Sequence, residues 1–464
     1  MYPMRSLFLI ASGSVYLASL VAGTARAEFA SGSDGSDGDL DCSWLAAHAT
    51  CDRNPCACSQ GQPCICTIDL RLAEDGHWRD SPGHGAGVYD VQQWAVVFKF
   101  STIEIPANLT IRFENHSSGA PVAWLALGGV TVTGTVNLDG AAGNANNLLP
   151  SFSEPGPGGF QGATRGTPNG SHGSVGLGPG GSDFYGVNNE AACFGVYASY
   201  LDGRCGALGT TYGNPNVFPL IGGSGGSAAA LSAYGSGAGG GAILIATNEG
   251  LVVTASGRIT AAGGGRPTPN GSSSSGSGGA IRLVAGAALS MAGALTAYGG
   301  PPDGDNFAYP GDGYPCTQNG RILLESPSIN VTGVTSPSRI QGFNCPAPAL
   351  VQSNILGPIF PTDDAPILEI VSVDGAPTSS DPRAGILTPD VEIDTDEGSV
   401  IVVRGKNLPI GTSVTIRVAP ERGHAILGQA VLGDPQPDGY SHGSATLAIP
   451  PGRSEVQLRA NWTP

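Results

Sequence analysis

Charged residues are scarce in this chain. Only 12% of its 464 residues are charged, and 21 Lys and Arg stand against 37 Asp and Glu, for a formal net charge of −16. So few basic residues, spread thinly, cannot neutralise a phosphate backbone, which argues against nucleic acid as a partner. The acidic balance also disfavours binding to anionic lipid, or to an acidic polysaccharide without a bridging cation.

Long apolar runs are absent after the N-terminus, so no transmembrane segment is expected in the mature chain. At the N-terminus, Arg5 precedes an apolar run over 7–22, and Ala25 and Ala27 supply small residues for cleavage before Glu28. This three-part pattern is typical of a secretory signal peptide. We therefore predict a secreted, extracellular or cell-surface protein.

Residues in a catalytic arrangement are missing from the sequence as well. No Gly-x-Ser-x-Gly elbow stands between a strand and a helix, and the seven histidines are scattered. Glycoside hydrolysis needs two facing carboxylates, whereas Asp139, Glu249 and Glu325 show no repeated pairing. Arg282 is isolated, and we expect it to point outward into solvent. The sequence therefore favours a non-catalytic protein over an enzyme.

Cysteine is plentiful by contrast. Ten cysteines form one cluster and two separate pairs: Cys42, Cys51, Cys56, Cys58, Cys64 and Cys66, then Cys193 with Cys205, and Cys316 with Cys345. An even number in an exported chain predicts disulfides. The alternative for the cluster is a metal site, since it contains two Cys-x-Cys pairs with His48 nearby. The pairing within the cluster stays open.

Glycine, at 73 residues, and proline, at 36, are abundant, yet an apolar content of 40% is too high for a purely disordered chain. Within this composition a unit of three short strands recurs four times. The copies align at the head of the first strand, at a glycine before the third strand, and within the third strand. The aligned residues are Val122, Ile243, Ile281 and Ile322; Gly134, Gly257, Gly293 and Gly333; and Val136, Ile259, Leu295 and Thr335.

Three short strands per repeat predict one coil of a right-handed parallel β-helix. Each coil presents apolar side chains that only the next coil can bury, so stacking yields a continuous core. We expect the corner glycines to supply positive φ angles. The repeats are longer than their strands require, so long Gly-rich loops must leave the β-helix.

Shifts in composition divide the chain into six segments with different predicted roles. They are a signal peptide (1–27), a flexible acidic linker (28–40), a Cys-rich capping segment (41–90), the β-helix (91–350, with a long loop insertion at 141–238), a Pro-rich linker (351–366) and a C-terminal immunoglobulin-like β-sandwich (367–464). The predicted fold class is therefore all-β.

Three features of the repeats point to a known group. They are Ile105-Pro-Ala-Asn-Leu-Thr-Ile, the stretch from Tyr212 through Pro219-Leu-Ile-Gly-Gly-Ser-Gly-Gly, and the two Gly-Gly-Ala-Ile copies. In these the chain resembles the glycine-rich exported right-handed parallel β-helix proteins of environmental bacteria, over residues 95–345. The resemblance implies a fold and a surface location rather than an activity.

One loop has the composition of a cation site. Asp303, Asp305 and Asp312 alternate with glycine, and their carboxylates suit calcium, although Asp-Gly is also common turn chemistry. No other cofactor is expected. Loop aromatics that suit sugar stacking are interpreted first as loop anchors: Phe184, Tyr185, Tyr197, Tyr200, Tyr212, Phe307, Tyr309 and Tyr314.

The sequence as a whole predicts an exported, non-catalytic surface or extracellular protein used for structure, adhesion or glycan contact. One alternative is a polysaccharide lyase or glycoside hydrolase with a loop-borne active site. Another is a calcium-dependent binding module. The expected partners are carbohydrates or other cell-surface components.

Overall fold

The structure, a computed structural model, describes residues 29–58, 62–143, 152–164, 173–185, 188–189, 212, 216–228, 234–265, 273–300, 319–335, 349–379, 389–394 and 398–460. These residues are mostly in β-strands, which confirms the all-β class. No helix among them is long and apolar enough to cross a membrane. The predicted signal peptide lies outside the described residues.

The N-terminal elements are short. In order they are α1 (Cys42–His48), β1 (Thr50–Cys51), the 3₁₀-helix η1 (Pro55–Ala57), β2 (Cys64–Asp69), the 3₁₀-helix η2 (Leu70–Leu72), β3 (Glu74–Asp75) and β4 (Val88–Asp90). Asp41 caps α1, because its carboxylate accepts hydrogen bonds from the amides of Ser43 and Trp44.

Short strands fill the central part of the chain. They are β5 (Ala95–Phe100), β6 (Ile103–Ile105), β7 (Leu109–Glu114), β8 (Val122–Ala126), β9 (Val130–Val132), β10 (Thr135–Asn137), β11 (Phe184–Tyr185), β12 (Asn188–Asn189), β13 (Ala242–Thr247), β14 (Leu251–Val253), β15 (Arg258–Thr260), β16 (Ala280–Ala285), β17 (Leu289–Met291), β18 (Ala294–Thr296), β19 (Arg321–Glu325), β20 (Ile329–Val331), β21 (Val334–Thr335) and β22 (Ala349–Ser353).

The C-terminal strands are longer. They are β23 (Ile367–Val373), β24 (Ala376–Pro377), β25 (Ser399–Lys406), β26 (Ser413–Pro420), β27 (Ile426–Val431), β28 (Ser441–Leu447) and β29 (Ser454–Ala460). They form two antiparallel sheets, ordered β24-β23-β25-β28 and β27-β26-β29, which share one buried apolar cluster. We call them the C-terminal sheets.

The central strands form three sheets whose members come from successive repeats. Sheet 1 has the order β22-β19-β16-β13-β8-β5-β4-β3, sheet 2 the order β20-β17-β14-β9-β6, and sheet 3 the order β1-β2-β7-β10-β15-β18-β21. Among the described strands of these sheets, only the β1–β2 and β4–β5 pairs are antiparallel. Each repeat thus gives one strand to each sheet.

The predicted alignment of the four copies is confirmed by the register of the strands. In sheet 1, Ile243 pairs with Val122 and Ile281, and Ile281 pairs with Ile322. In sheet 3 the pairs are Val136 with Ile259, Ile259 with Leu295, and Leu295 with Thr335. A one-residue slip would turn every buried side chain outward, so the apolar pattern fixes this register.

One further copy precedes the four that the sequence reveals. Strands β5, β6 and β7 pair in parallel with β8, β9 and β10, one in each sheet. The sequence does not reveal this copy, because the large side chain of Phe100 stands where the later copies have Ala126, Thr247 and Ala285. Inward side chains of all copies join one apolar cluster, which also contains Trp124.

The corner glycines have a different role from the one predicted. Gly134, Gly257, Gly293 and Gly333 are not among the described glycines with positive φ, so that expectation is wrong. A Cβ at Gly257 would lie 2.1 Å from Val132 O, and one at Gly293 would lie 2.2 Å from Gly257 O. Glycine is required here because successive repeats approach too closely for any side chain.

The segments that follow the third strands pack together as a layer. We call residues 152–164, 173–183, 221–228, 234–241, 261–265 and 273–279 the glycine layer. Its segments are joined by backbone hydrogen bonds, among them Gly264 N to Ala238 O (2.7 Å) and Gly276 N to Gly264 O (3.0 Å). The long loop insertion predicted at 141–238 thus contains ordered, packed backbone wherever it is described.

Glycine in this layer is dictated by close backbone contact. A Cβ at Gly264 would lie 1.8 Å from Ala141 O, and a Cβ at Gly239 would lie 1.8 Å from Gly223 O. No real Cβ occupies such a position, so a larger residue would have to separate the segments. The glycines of this layer therefore reflect close packing of the backbone and not flexibility.

Residues 29–40, predicted as a flexible linker, are instead packed against sheet 1. Asp37 is buried and accepts hydrogen bonds from Lys99 N (2.6 Å) and Gly85 N (2.8 Å). The buried Lys99 ammonium donates to the Asp34 carboxylate at 2.9 Å. The acidic residues of this segment thus bind partners on the sheet, which composition alone did not reveal.

The predicted Pro-rich linker at 351–366 also begins inside the fold. β22 extends sheet 1 by pairing with β19. Leu356, Ile359 and Phe360 then pack against the outer face of sheet 1, on a second apolar cluster that contains Leu244. Both faces of sheet 1 are therefore covered.

Candidate functional site

The cysteine cluster forms three disulfides: Cys42–Cys56, Cys51–Cys66 and Cys58–Cys64. The disulfide prediction is confirmed for these six residues, and the metal alternative is wrong because every sulfur of the cluster is already bonded. Within the described chain, no three His, Cys, Asp or Glu side chains are close enough to hold a metal. Cys193, Cys205, Cys316 and Cys345 lie outside the described residues.

The disulfides hold α1 over one end of the apolar core. Trp44 and Leu45 are buried, and the Trp44 ring meets the Phe98 and Phe100 rings edge-on at 6.2 and 5.4 Å. Such edge-to-face contacts add to the burial of the rings themselves. The Cys-rich segment thus covers apolar side chains that would otherwise face water.

The predicted calcium ligands cannot be placed, because Asp303, Asp305 and Asp312 lie outside the described residues. Of the loop aromatics, only Tyr212 has a described side chain. It is buried, its hydroxyl donates to Gly222 O at 2.6 Å, and it accepts from Ser224 Oγ at 2.9 Å. Burial raises the Tyr212 pKa above its ordinary value. Tyr212 is therefore a loop anchor, not an exposed sugar platform.

Arg282 is not solvated, so that expectation is wrong. It is buried, its Nε donates to Glu325 Oε2 at 2.7 Å, and its Nη2 donates to Pro358 O at 2.9 Å. Gly357 N donates to the other Glu325 oxygen at 2.8 Å. The segment that covers sheet 1 buries this ion pair, so its role is to fix that segment in place.

Among the described residues, an organised set of polar side chains lies on the outer face of sheet 3. Alternation sends Ile111, Val136 and Ile259 into the core and their neighbours outward. The outward and strand-end polar side chains interact across five strands, and we call them the polar strip: Asp69, Arg71, Arg112, Glu114, Asp139, Thr260 and Tyr298.

Asp139 lies at the centre of the strip. One carboxylate oxygen accepts hydrogen bonds from Thr260 Oγ1 (2.6 Å) and Ala262 N (2.6 Å). Loss of solvation around the carboxyl raises the Asp139 pKa above its ordinary value, although these bonds and the Arg112 charge oppose the shift. Tyr298 has a raised pKa for the same reason, with the Asp139 charge adding to it.

The other end of the strip is a network of ion pairs. Arg71 donates to both oxygens of Asp69, at 2.9 and 2.7 Å, and lies 2.6 Å from Glu114. The Arg71 hydrogen bonds lower the pKa of Asp69. Hydrogen-bond donors and acceptors thus alternate along an exposed strip whose charges nearly balance, and Tyr298 adds a half-exposed ring.

The sequence did not reveal this strip. In the sequence Asp139 is an isolated acid, and nothing marks Arg112 or Tyr298 as part of a site. These residues share the outward position next to a buried residue, in or just after a third strand. That position can be recognised in the sequence only once the register of the strands is known.

Comparison of the chain with protein-family models, curated proteins and solved structures finds no match. The resemblance to glycine-rich exported β-helix proteins therefore remains a prediction. The side chains of the polar strip are therefore the basis on which a function is proposed.

Proposed function

We propose that this chain is an exported, non-catalytic structural or adhesion protein that contacts uncharged glycans through its polar strip. The observation that carries the proposal is the strip itself, in which donors and acceptors interact across the outer face of sheet 3. Sugar hydroxyls both donate and accept hydrogen bonds, and a ring such as that of Tyr298 can stack on a sugar face. The near balance of charge favours a neutral ligand.

The proposed scaffold is a right-handed parallel β-helix followed by an immunoglobulin-like β-sandwich. Parallel, in-register pairing of successive repeats in sheets 1, 2 and 3 supports the β-helix. Crossovers between parallel strands are overwhelmingly right-handed. The two antiparallel C-terminal sheets with a shared core support the sandwich.

Export is supported by the three disulfides, which are typical of chains that fold in an oxidising compartment. It agrees with the signal peptide that the N-terminal sequence predicts. Surface attachment or release into the medium would both place the polar strip where it meets polysaccharides.

A glycoside hydrolase or lyase is the second candidate, and Asp139 is the observation that favours it. A carboxyl whose pKa is raised holds its proton to a higher pH than an ordinary one, which suits a general acid. The nearest charged neighbours weigh against it, because Glu114 on the adjacent strand is already paired with Arg71. Hydrolysis needs a second carboxylate that is free to act.

The two candidates are separated by a glycan array run beside assays for reducing sugars and unsaturated products. We expect binding without turnover. Asp139→Asn should weaken binding by about tenfold, as for the loss of a hydrogen bond to a charged group, and Tyr298→Ala should weaken it by removing the ring that stacks on the sugar. Glu104→Gln, an exposed acid on the outer face of sheet 2, is the matched control. Turnover of a polysaccharide that Asp139→Asn abolishes would overturn the non-catalytic proposal.

A further inference from the structure

A tight turn in the glycine layer presents several carbonyl groups to the C-terminal sheets. Residues 176–181 are closed by hydrogen bonds from Gly181 N to Gly178 O (2.9 Å) and from Gly176 N to Ser182 O (2.9 Å). Gly178 has a φ of +95°, a conformation that side chains disfavour. Among the described residues, no backbone amide donates to Gly176 O or Gly181 O.

Arg417 of β26 supplies the missing donors. Its Nη2 lies 3.1 Å from both Gly176 O and Gly181 O, and its Nη1 lies 3.4 Å from Gly178 O. The side chain is only 5% exposed. One guanidinium group therefore bonds three carbonyl oxygens of a single turn, and the planar geometry of its N–H groups suits this arrangement.

Further contacts around Arg417 join the C-terminal sheets to the glycine layer. Val175 and Leu177 of the turn region pack against Ala419 and Ala425. Asp183 accepts hydrogen bonds from the His424 ring at 3.1 Å and from Ala425 N at 3.3 Å.

Opposite charges also face the guanidinium group. Burial lowers the Arg417 pKa, and the charges of Glu455 and Asp183 oppose this shift. Glu455 lies on β29, which pairs with β26 at Ala419. The two antiparallel strands and the turn therefore surround the same cation.

We propose that the turn 176–181 is a guanidinium-binding cradle. The Arg417 side chain binds in this cradle and thereby docks the C-terminal sheets on the glycine layer. The C-terminal sheets then act as a clamp that keeps residues 173–183 folded, rather than as a freely tethered module. A lysine at this position cannot serve, because an ammonium is a compact charge without a planar set of donors.

The test is hydrogen exchange of the full-length protein, followed by mass spectrometry in a peptide covering residues 173–183. Arg417→Ala and Arg417→Lys should each exchange about tenfold faster or more, the factor expected when hydrogen bonds from a charged donor are lost. Arg404→Ala is the matched control, because Arg404 belongs to the same sheets but makes a half-exposed ion pair with Glu369. It should leave this peptide unchanged.

Chemical rescue makes the test specific for the cradle. Millimolar guanidinium chloride should slow the exchange of residues 173–183 again in Arg417→Ala, whereas equal sodium chloride should not. Unchanged exchange in both Arg417 variants, or acceleration without rescue by guanidinium, would overturn the proposal. Should Arg417→Ala not fold, the exchange of Arg417→Lys alone decides, because that variant keeps the charge and the apolar stem.

Discussion

The strands of sheets 1, 2 and 3 and the glycine-rich segments between successive repeats are held together differently. In the sheets, side chains such as Trp124 and Ile281 are buried between strands that lie at ordinary strand spacing. In the layer, backbones meet so closely that a Cβ at Gly239 would lie 1.8 Å from a carbonyl oxygen. One region depends on side-chain volume, and the other depends on its absence.

This difference has a consequence for how each region tolerates mutation. A large-to-small change harms the sheets by opening a cavity, whereas a small-to-large change harms the layer by separating its segments. The sheets should therefore be most sensitive to lost side-chain volume, and the layer to added side-chain volume. Four predictions test this contrast.

The largest effect is expected in the core of the sheets. Trp124 is fully buried and lies against the Phe100 and Phe113 rings, at 6.3 and 5.8 Å between centroids. Trp124→Ala should lower the free energy of unfolding by about 3–5 kcal/mol, measured by denaturant titration. Val252→Ala, at a side chain that is 39% exposed on sheet 2, should change it by less than about 0.5 kcal/mol. Equal losses of unfolding free energy in Trp124→Ala and Val252→Ala would contradict the packing of Trp124 in the core.

The second prediction concerns the disulfides that close the end of this core. Replacing Cys51 and Cys66 together by serine opens a loop with a sequence separation of 15 and should cost about 3 kcal/mol. The matched change at Cys58 and Cys64 opens a separation of 6 and should cost about 2 kcal/mol. Thermal melting under oxidising conditions compares the two. A larger loss for the shorter loop would contradict the expectation that loop length sets the stabilisation by these two disulfides.

The third prediction tests the glycine layer directly. Gly239→Ala forces a Cβ onto Gly223 O and should cost about 1–3 kcal/mol through overpacking. Gly250→Ala is the matched control, because its new Cβ would meet nothing closer than 3.6 Å. Calorimetry should show a lower melting temperature for the first variant and little change for the second. A neutral Gly239→Ala would mean that the layer is not closely packed.

The smallest effect is a pH dependence that differs between the two ends of the polar strip. The Asp139 pKa is raised above its ordinary value of 3.8, so its contribution to stability is present at low pH and is lost as pH rises through the folded-state pKa. The Asp69 pKa is lowered, so its contribution is present above 3.8 and is lost as pH falls.

Melting temperatures of Asp139→Asn and Asp69→Asn, each subtracted from the wild type across the acid range, measure these contributions. The difference in melting temperature between wild type and variant should shrink with rising pH for Asp139→Asn and grow with rising pH for Asp69→Asn. Parallel curves for the two variants would contradict the assigned environments of these carboxyls.

The contrast between the regions also explains what the sequence could predict. The sheets could be predicted down to the pairing of Ile243 with Ile281, because apolar side chains recur in fixed order and only one register buries them all. The disulfides of the Cys-rich segment could be predicted as a class, although their connectivity required coordinates.

The glycine layer and the polar strip were missed for a physical reason. Glycines such as Gly264 carry no side chain whose pattern would reveal which segment lies beside which. The partners of Asp139 and Arg417 lie far away in sequence, at Thr260 and in the turn 176–181, so their interactions exist only in the folded chain. The same distance in sequence hid the buried pair of Arg282 and Glu325.

Hydrogen exchange of the unmodified protein tests most directly whether the glycine layer is packed structure. We predict that amides of residues 221–228, 234–241 and 273–279 are protected to a degree comparable with those of β13 and β16, since they too donate to buried backbone carbonyls. Exchange of these segments at the rate of an unstructured peptide, while β13 and β16 stay protected, would contradict this account.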